Sequence, residues 1–272
     1  MALAWYYLIH NKSGEEVMEK LSVYIVTLNE EQRLGKTLAA AKKIADEIIV
    51  VDSGSSDKTC EIAESYGAKV IFHKWKNISS QKRYAQNQCR YDYVLSLDAD
   101  EVLSDELIHE INDVKSQPVY KAYRIKIADM YPGDKKPSPF AKSYELVRLY
   151  HKEYATMPDD LTHDRVIVKQ GVQVGRLKGK VYHYSYLSLK KTWDKYNDYT
   201  DELLKTAIAT GKGYSAFRLG IEFPYQFMRY YFMKRMFLQG KFGFINAVTL
   251  AYFRFLKIAK WHEYKEGQKD KE

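Results

Sequence analysis

Tyr93-Val94-Leu95-Ser96-Leu97-Asp98-Ala99-Asp100 is an apolar run that stops on two carboxylates one residue apart. A strand ending in this way can hold a hard divalent cation, and such a cation on a protein most often holds phosphate oxygens. Alone, the triplet has a plainer reading, since acidic pairs at strand ends also cap the next helix or sit solvated in a loop. The surrounding chain decides between them.

Upstream, Leu21-Ser22-Val23-Tyr24-Ile25-Val26-Thr27 reads as a buried strand running into Leu28-Asn29-Glu30-Glu31, where a helix begins. Ile48-Ile49-Val50-Val51 is a second short strand, opening into the polar turn Asp52-Ser53-Gly54-Ser55-Ser56-Asp57-Lys58-Thr59 with its N-cap signature. Ala68-Lys69-Val70-Ile71-Phe72 is a third. Segments of helical length separate the strands: Gln32 to Ala45, Thr59 to Tyr66 and Ser80 to Cys89. This alternation predicts βαβ units and a parallel sheet, in which ligands bind beyond the carboxyl ends of the strands. The rule brings Thr27, Asn29, Asp52, Ser53, Gly54, Asp98 and Asp100 to one rim.

Bulk properties narrow the partners. The 272-residue chain carries a formal charge of +8, which favours anionic partners: nucleic acid, phospholipid or a phosphorylated substrate. Its two cysteines, Cys60 and Cys89, fall inside predicted helices and suggest small packed residues in a reducing compartment. No apolar run approaches the ~20 residues that a spanning helix needs. The opening Met1-Ala2-Leu3-Ala4-Trp5-Tyr6-Tyr7-Leu8-Ile9 lacks a basic leader and a cleavage signal. Met18 directly precedes the first strand, and Gly14-Glu15-Glu16 would be encoded by purine-rich codons like a ribosome-binding site. Residues 1–17 are therefore expected to be a non-native or disordered extension.

With these blocks assembled, the chain resembles glycosyltransferase family 2, the inverting enzymes with the GT-A fold. The blocks that carry the likeness are Ser22 to Glu30, Asp46 to Asp57 and Asp92 to Glu101, with a looser continuation through Tyr144-Glu145-Leu146-Val147-Arg148-Leu149-Tyr150, Leu161-Thr162-His163-Asp164 and Gly240 to Phe255. Within the family it is most similar to bacterial lipopolysaccharide core glucosyltransferases. The resemblance implies an α/β fold of Rossmann-like type, a mostly parallel sheet flanked by helices, spanning residues 18–187 with a helical extension over 188–272. It implies that Thr27, Asn29 and Glu30 line the base and ribose side of a nucleotide, with Asp52 on the base or ribose. Asp98 then meets ribose or donor sugar, and Asp100 is the direct ligand of Mg²⁺ or Mn²⁺.

Transfer from a nucleotide diphosphate sugar needs charge stabilisation on the leaving diphosphate and a base for the acceptor hydroxyl. Asp159, Asp160 and Asp164 are candidates for that base. The related subgroup carries a His-acidic pair, usually His-Glu, where this chain has His163-Asp164, so Asp164 is assigned as base and His163 as its support. Asp is one methylene shorter than Glu, a departure from the subgroup. Lys82 and Arg83 open a helix and could reach donor phosphates or ribose; a solvated basic helix start is the alternative. His183, in Val181-Tyr182-His183-Tyr184-Ser185-Tyr186, could bind metal or diphosphate, or be structural among its aromatic neighbours. The Gln-x-x-Arg-Trp motif of processive members is absent, which argues for addition of one sugar.

From Ser188 the pattern becomes helical, with a break at Gly211-Lys212-Gly213, and Tyr214 to His262 mixes aromatics with cations. Such helices suit a bilayer surface with anionic headgroups; packing on the catalytic domain or in a homodimer is the alternative. The expected partners are a nucleotide-sugar donor and a lipid-linked oligosaccharide acceptor at the cytoplasmic face of a bacterial inner membrane, without nucleic acid. Two rival readings are weaker. A nucleotidyltransferase would want a glycine-rich basic loop where Thr27-Leu28-Asn29-Glu30-Glu31 stands, and a basic nucleic-acid-binding protein would not need three motifs converging on one rim.

Overall fold

The computed structural model describes residues 18–131, 134–139, 141–159, 165–186 and 188–269. The 1–17 extension, and with it the expectation about its origin, lies outside them. Two compact units make up the chain: residues 18–128 with 143–184, and residues 129–142 with the segment from 185 onward.

In the first unit, β1 (Leu21–Thr27) is almost entirely buried, as expected of an apolar strand covered on both faces. It lies parallel to β2 (Glu47–Asp52) on one side and β4 (Tyr93–Asp98) on the other. The register pairs Thr27 with Asp52 and Val26 with Asp98, so the three strands end at one rim. Strand β3 (Lys69–Phe72) adds to the outer side of β2. The connecting helices are α1 (Leu34–Ala41), α2 (Thr59–Ser65) and α3 (Ile78–Gln88). Their positions follow the expected segments, although α1 is shorter because the chain turns at Lys42 to Ile44 before β2. The Asn77 side chain caps α3 by accepting from the Ser80 amide, and α4 (Asp105–Ser116) is capped by Ser104 with two acids in its first turn.

The complete sheet has eight strands in the order β3-β2-β1-β4-β7-β6-β10-β5. Its first four are parallel. Beyond β4 the direction changes: β7 (Ser143–His151) runs antiparallel to β4 and to β6 (Ala122–Asp129), and β5 (Glu101–Leu103) runs antiparallel to β10 (Val174–His183). The sheet is thus mixed, with a parallel half carrying the rim and an antiparallel half beside it. Among the described residues no helix lies between β6 and β7, and strands joined without a crossover helix pair antiparallel. A small second sheet joins β8 (Ala155–Thr156) to β9 (Ile167–Val168).

The second unit is helical. It contains α5 (Leu189–Ala209), α6 (Ala216–Met228), a π turn over Arg229–Met233, a 3₁₀ turn over Met236–Gln239 and α7 (Gly240–Lys269). Gly211, at φ 65°, ends α5 in the left-handed region that glycine enters without steric cost. Aromatic pairs join α5 to α7: Trp193 stacks on Tyr252 at 5.1 Å and Tyr196 on Phe253 at 4.8 Å. The stretch Met236–Gln268 is, by length and composition, long and apolar enough to cross a membrane, which corrects the expectation drawn from unbroken apolar runs. The later part of the helix carries Lys257 and Lys260, the latter paired with Asp201 of the strongly charged α5, and Ile258 is buried in this unit's own core.

Candidate active site

The loops after β1 and β2 are knitted together by polar groups. The Thr27 hydroxyl donates to Asp52 Oδ1 at 3.0 Å, and Asp52 Oδ2 accepts from the amides of Gly54 at 2.8 Å and Ser55 at 2.7 Å. Gly54 takes φ 106°, closed to ordinary side chains, which lets its amide turn back onto that carboxylate. Ser53 continues the pairing through its amide, which donates to the Thr27 carbonyl. Burial works against ionised Asp52, but the Ser55 hydroxyl, the Ser55 and Gly54 amides and the Thr27 hydroxyl together hold its carboxyl below the usual range. Asn29 sits at φ 56°; its amide donates to Ser55 Oγ at 2.8 Å and its side-chain oxygen accepts from the Ser56 amide at 2.9 Å. The two loops thereby form one ledge at the sheet rim.

Asp98, at the end of β4, is clamped from beneath. Lys82 of α3 places Nζ 2.7 Å from its Oδ1, and Arg148 of β7 places Nη2 3.1 Å from its Oδ2. The same Arg148 nitrogen lies 2.7 Å from Glu101, whose other oxygen accepts from the Asp98 amide. Lys82, Arg148 and Glu101 are buried, while Asp98 keeps 31% of its side chain open to the rim. Burial raises the pKa of Asp98, but the charges of Lys82 and Arg148 outweigh it and hold the group well below the ordinary carboxylate range. Glu101 is pushed up by its burial. The outcome is a fixed, ionised carboxylate at the rim.

Asp100 turns the chain from β4 into β5. The β5–β10 register pairs Glu101 with His183, and this pairing brings His183 Nε2 to 3.5 Å from Asp100 Oδ2. The Tyr184 amide donates to the Asp100 carbonyl at 2.8 Å, pinning the turn to the end of β10. Arg33 donates from Nη1 to the same Asp100 Oδ2 at 2.8 Å and to the Tyr184 carbonyl at 3.1 Å. Its other edge grips the Glu30 carboxylate through Nε and Nη2. Burial opposes ionisation of Asp100, but the His183 hydrogen bond, the His183 charge and Arg33 hold its carboxyl below the usual range.

Thr27, Asn29, Asp52, Ser53, Gly54, Asp98 and Asp100 therefore come to the rim expected of them, with Lys82 directly behind Asp98 and His183 beside Asp100. Glu30 faces Arg33 rather than standing open toward a nucleotide. Arg83 points elsewhere: it donates to Thr156 Oγ1 and, at 3.0 Å, to the Met157 carbonyl. Asp159 is exposed. His163 and Asp164, the expected support and base, lie outside the described residues, as does Asp160. Arg33, Glu101 and Arg148 are the functional neighbours that sequence reasoning missed. The one available signal was Arg148 in the apolar stretch Leu146-Val147-Arg148-Leu149, because a cation buried among apolar neighbours requires a carboxylate partner.

Among the described residues no cluster of three or more His, Cys, Asp and Glu side chains forms a complete metal cage. Asp100 and His183 nevertheless fit a divalent ion as a partial set. Their 3.5 Å separation is one that two neighbouring ligands of a single ion span, and Mg²⁺-type sites take one or two protein groups with phosphate and water completing the shell.

Comparison with known proteins shows the family. The model of glycosyl transferase family 2 matches residues 22–177. An uncharacterized glycosyltransferase of Rickettsia typhi is 40% identical over 256 residues, covering 90% of this chain and 88% of that protein. The lipopolysaccharide core biosynthesis glycosyltransferase LpsC of Rhizobium meliloti is 28% identical over 252 residues, covering 89% and 92%. The crystal structure of S. aureus TarS 1–349 in complex with UDP aligns over 91% of this chain and 92% of that one, with 16% identity and a TM-score of 0.41. With a rim of strand-end carboxylates inside the matched region and a relative of this identity over nearly the whole chain, the protein belongs to glycosyl transferase family 2 and is a glycosyltransferase.

Proposed function

We propose that this glycosyltransferase moves one sugar, with inversion, from a nucleotide diphosphate sugar to a lipopolysaccharide or lipooligosaccharide core acceptor. A UDP-sugar is the favoured donor and UDP-glucose its first candidate. The observation that carries the reading is the convergence of Thr27, Asp52, Asp98 and Asp100, at and just after the ends of the parallel strands, with His183 brought to Asp100 by the antiparallel β5–β10 pair. The likeness to LpsC along nearly the full length of both chains supports the acceptor class.

In this reading the Asn29–Ser56 ledge and Asp52 receive base and ribose, and Asp98, immobilised by Lys82 and Arg148, orients ribose or donor sugar. Asp100 and His183 would hold Mg²⁺ or Mn²⁺, which supplies neutralisation of charge on the departing diphosphate. Asp164 takes the acceptor proton, with His163 as its support, and attack opposite the leaving group gives inversion.

Contact with the cytoplasmic face of a bacterial inner membrane is part of the proposal. Its support is the polarity of α6 and the turn after it, which is reversed relative to a core-packed helix. Phe217, Ile221, Tyr225, Met228 and Phe232, spaced three or four apart, are all 44–76% exposed, while Glu222 and Gln226 of the same helix are buried. Between Phe217 and Lys241 the cations are Arg218, Arg229, Lys234, Arg235 and Lys241, against the single acid Glu222, which pairs with Arg218. A surface of apolar rings among cations fits anionic headgroups, whereas a second copy would oppose like charges.

Thermal unfolding with UDP, GDP, CDP and dTDP, each with and without Mn²⁺, tests the donor reading, because a ligand of the folded state raises the midpoint. Metal-dependent stabilisation by UDP is the expected result. No shift with any nucleotide would overturn it.

A further inference from the structure

Arg33 stands where the ion-binding reading of Asp100 needs an open oxygen. Its Nη1 is 2.8 Å from Asp100 Oδ2, the oxygen that also faces His183 Nε2. The guanidinium is not a loose surface group. Glu30 grips its far edge, the Tyr184 carbonyl takes a further hydrogen bond, and the side chain is only 15% exposed. A fixed cation of the chain therefore already neutralises the carboxylate assigned to the ion. Two cations a bond length from one carboxylate oxygen repel by several kcal/mol even at an effective dielectric of about 20. Arg33 and a divalent ion thus exclude each other at Oδ2.

A nucleotide diphosphate changes that balance. Its paired oxygens accept the two parallel hydrogen bonds that a planar guanidinium donates, and they also supply ligands that complete the shell around an ion. We infer that Arg33 is a donor-sensing residue: it holds Asp100 in the nucleotide-free enzyme and passes to the diphosphate when the donor arrives, so that ion binding is conditional on donor binding. The inference rests on the nucleotide diphosphate reading of this rim. It assigns Arg33 to the donor's diphosphate and gives Glu30 the role of anchoring Arg33 within reach, rather than lining the base.

The test is Mn²⁺ binding to the full chain without nucleotide, read from the electron paramagnetic resonance signal of free Mn²⁺, which requires no turnover. Arg33→Gln removes the resident charge and should bind Mn²⁺ at least about tenfold more tightly than the wild type. Arg33→Lys, which keeps the charge but loses the fork, should fall between the two and covers the case in which Arg33→Gln fails to fold. Lys36→Gln is the control for general charge, since Lys36 lies over the Tyr184 ring at 5.3 Å on the same helix without an ion pair to Asp100; it should stay within about twofold of wild type. With Mn²⁺ present, Arg33→Gln should bind UDP more weakly. Nucleotide-free Mn²⁺ binding by Arg33→Gln that is unchanged or weaker would overturn the inference and make Arg33 a residue that merely positions Asp100. Failure of every nucleotide to tighten Mn²⁺ in wild type would instead refute the diphosphate reading, and the nucleotide-free comparison would still score Arg33 separately.

Discussion

Lys82 Nζ lies 2.7 Å from Asp98 Oδ1 while only 1% of the Lys82 side chain is exposed, so this ammonium serves the carboxylate from inside the protein. A buried ion pair loses most when one partner is removed, because the other is left charged in a poor solvent. Arg148 also holds Asp98, which shares the load. Lys82→Met should therefore cost about 2–4 kcal/mol in urea unfolding and weaken donor binding. Arg148→Met should cost more, since it strips both Asp98 and the buried Glu101. Equal stability of both variants and wild type would refute the clamp.

Acid should destabilise the protein through its rim. Asp52 and Asp98 both have folded-state pKa values below the ordinary range. Their stabilisation is fully present above the unfolded value near about 3.9 and is lost as pH falls through the lower folded values. Melting midpoints should thus drop below about pH 4. Asp52→Asn should flatten that limb of the profile; an unchanged slope would show that Asp52 is not a contributor.

The roles proposed for Asp100 and Asp164 separate by experiment. Asp100→Ala should abolish metal-dependent UDP binding in calorimetry. Asp164→Asn should leave donor binding intact and remove transfer. Transfer at the normal rate by Asp164→Asn would mean that the base lies elsewhere.

The exposed rings of α6 and the turn after it predict vesicle binding. Wild-type protein should co-sediment with vesicles containing phosphatidylglycerol, less so at high salt, and weakly with pure phosphatidylcholine. Phe217→Ser, Tyr225→Ser and Met233→Ser combined should lose most of this binding while melting like wild type, as all three side chains are more than half exposed. A dimer that depends on these rings, without vesicle binding, would move the surface to self-association.

Gly179 offers a packing test remote from the rim. A Cβ at this position would come within 2.4 Å of the Leu107 backbone nitrogen, and backbone cannot yield as a side-chain tip can. The Gly179 amide also donates to Glu110 of α4 at 2.8 Å. Gly179→Ala should push α4 from β10 and cost about 1–3 kcal/mol in denaturant unfolding.

The parallel half of the sheet was legible in the chain because its signals are local. Apolar runs of strand length stop at polar turns, and β1, β2 and β4 end within one residue of where those runs end. Strand ends in turn name Thr27, Asp52, Asp98 and Asp100, since a parallel sheet places successive ends at one rim. The sequence alone thereby determined the fold class, the family and the carboxylates at the rim. Tertiary structure decided what holds them. Arg33 meets Asp100 across 67 positions of sequence and Arg148 meets Glu101 across 47, and no local pattern records such pairings. His183 reaches Asp100 only through the antiparallel β5–β10 register, and a register shifted by one residue would turn it to the opposite face. Likewise, the mixture of aromatics and cations over Tyr214 to His262 was legible in the sequence, but only packing showed that the rings of α6 face outward, because burial is a property of neighbours and composition is a property of the chain.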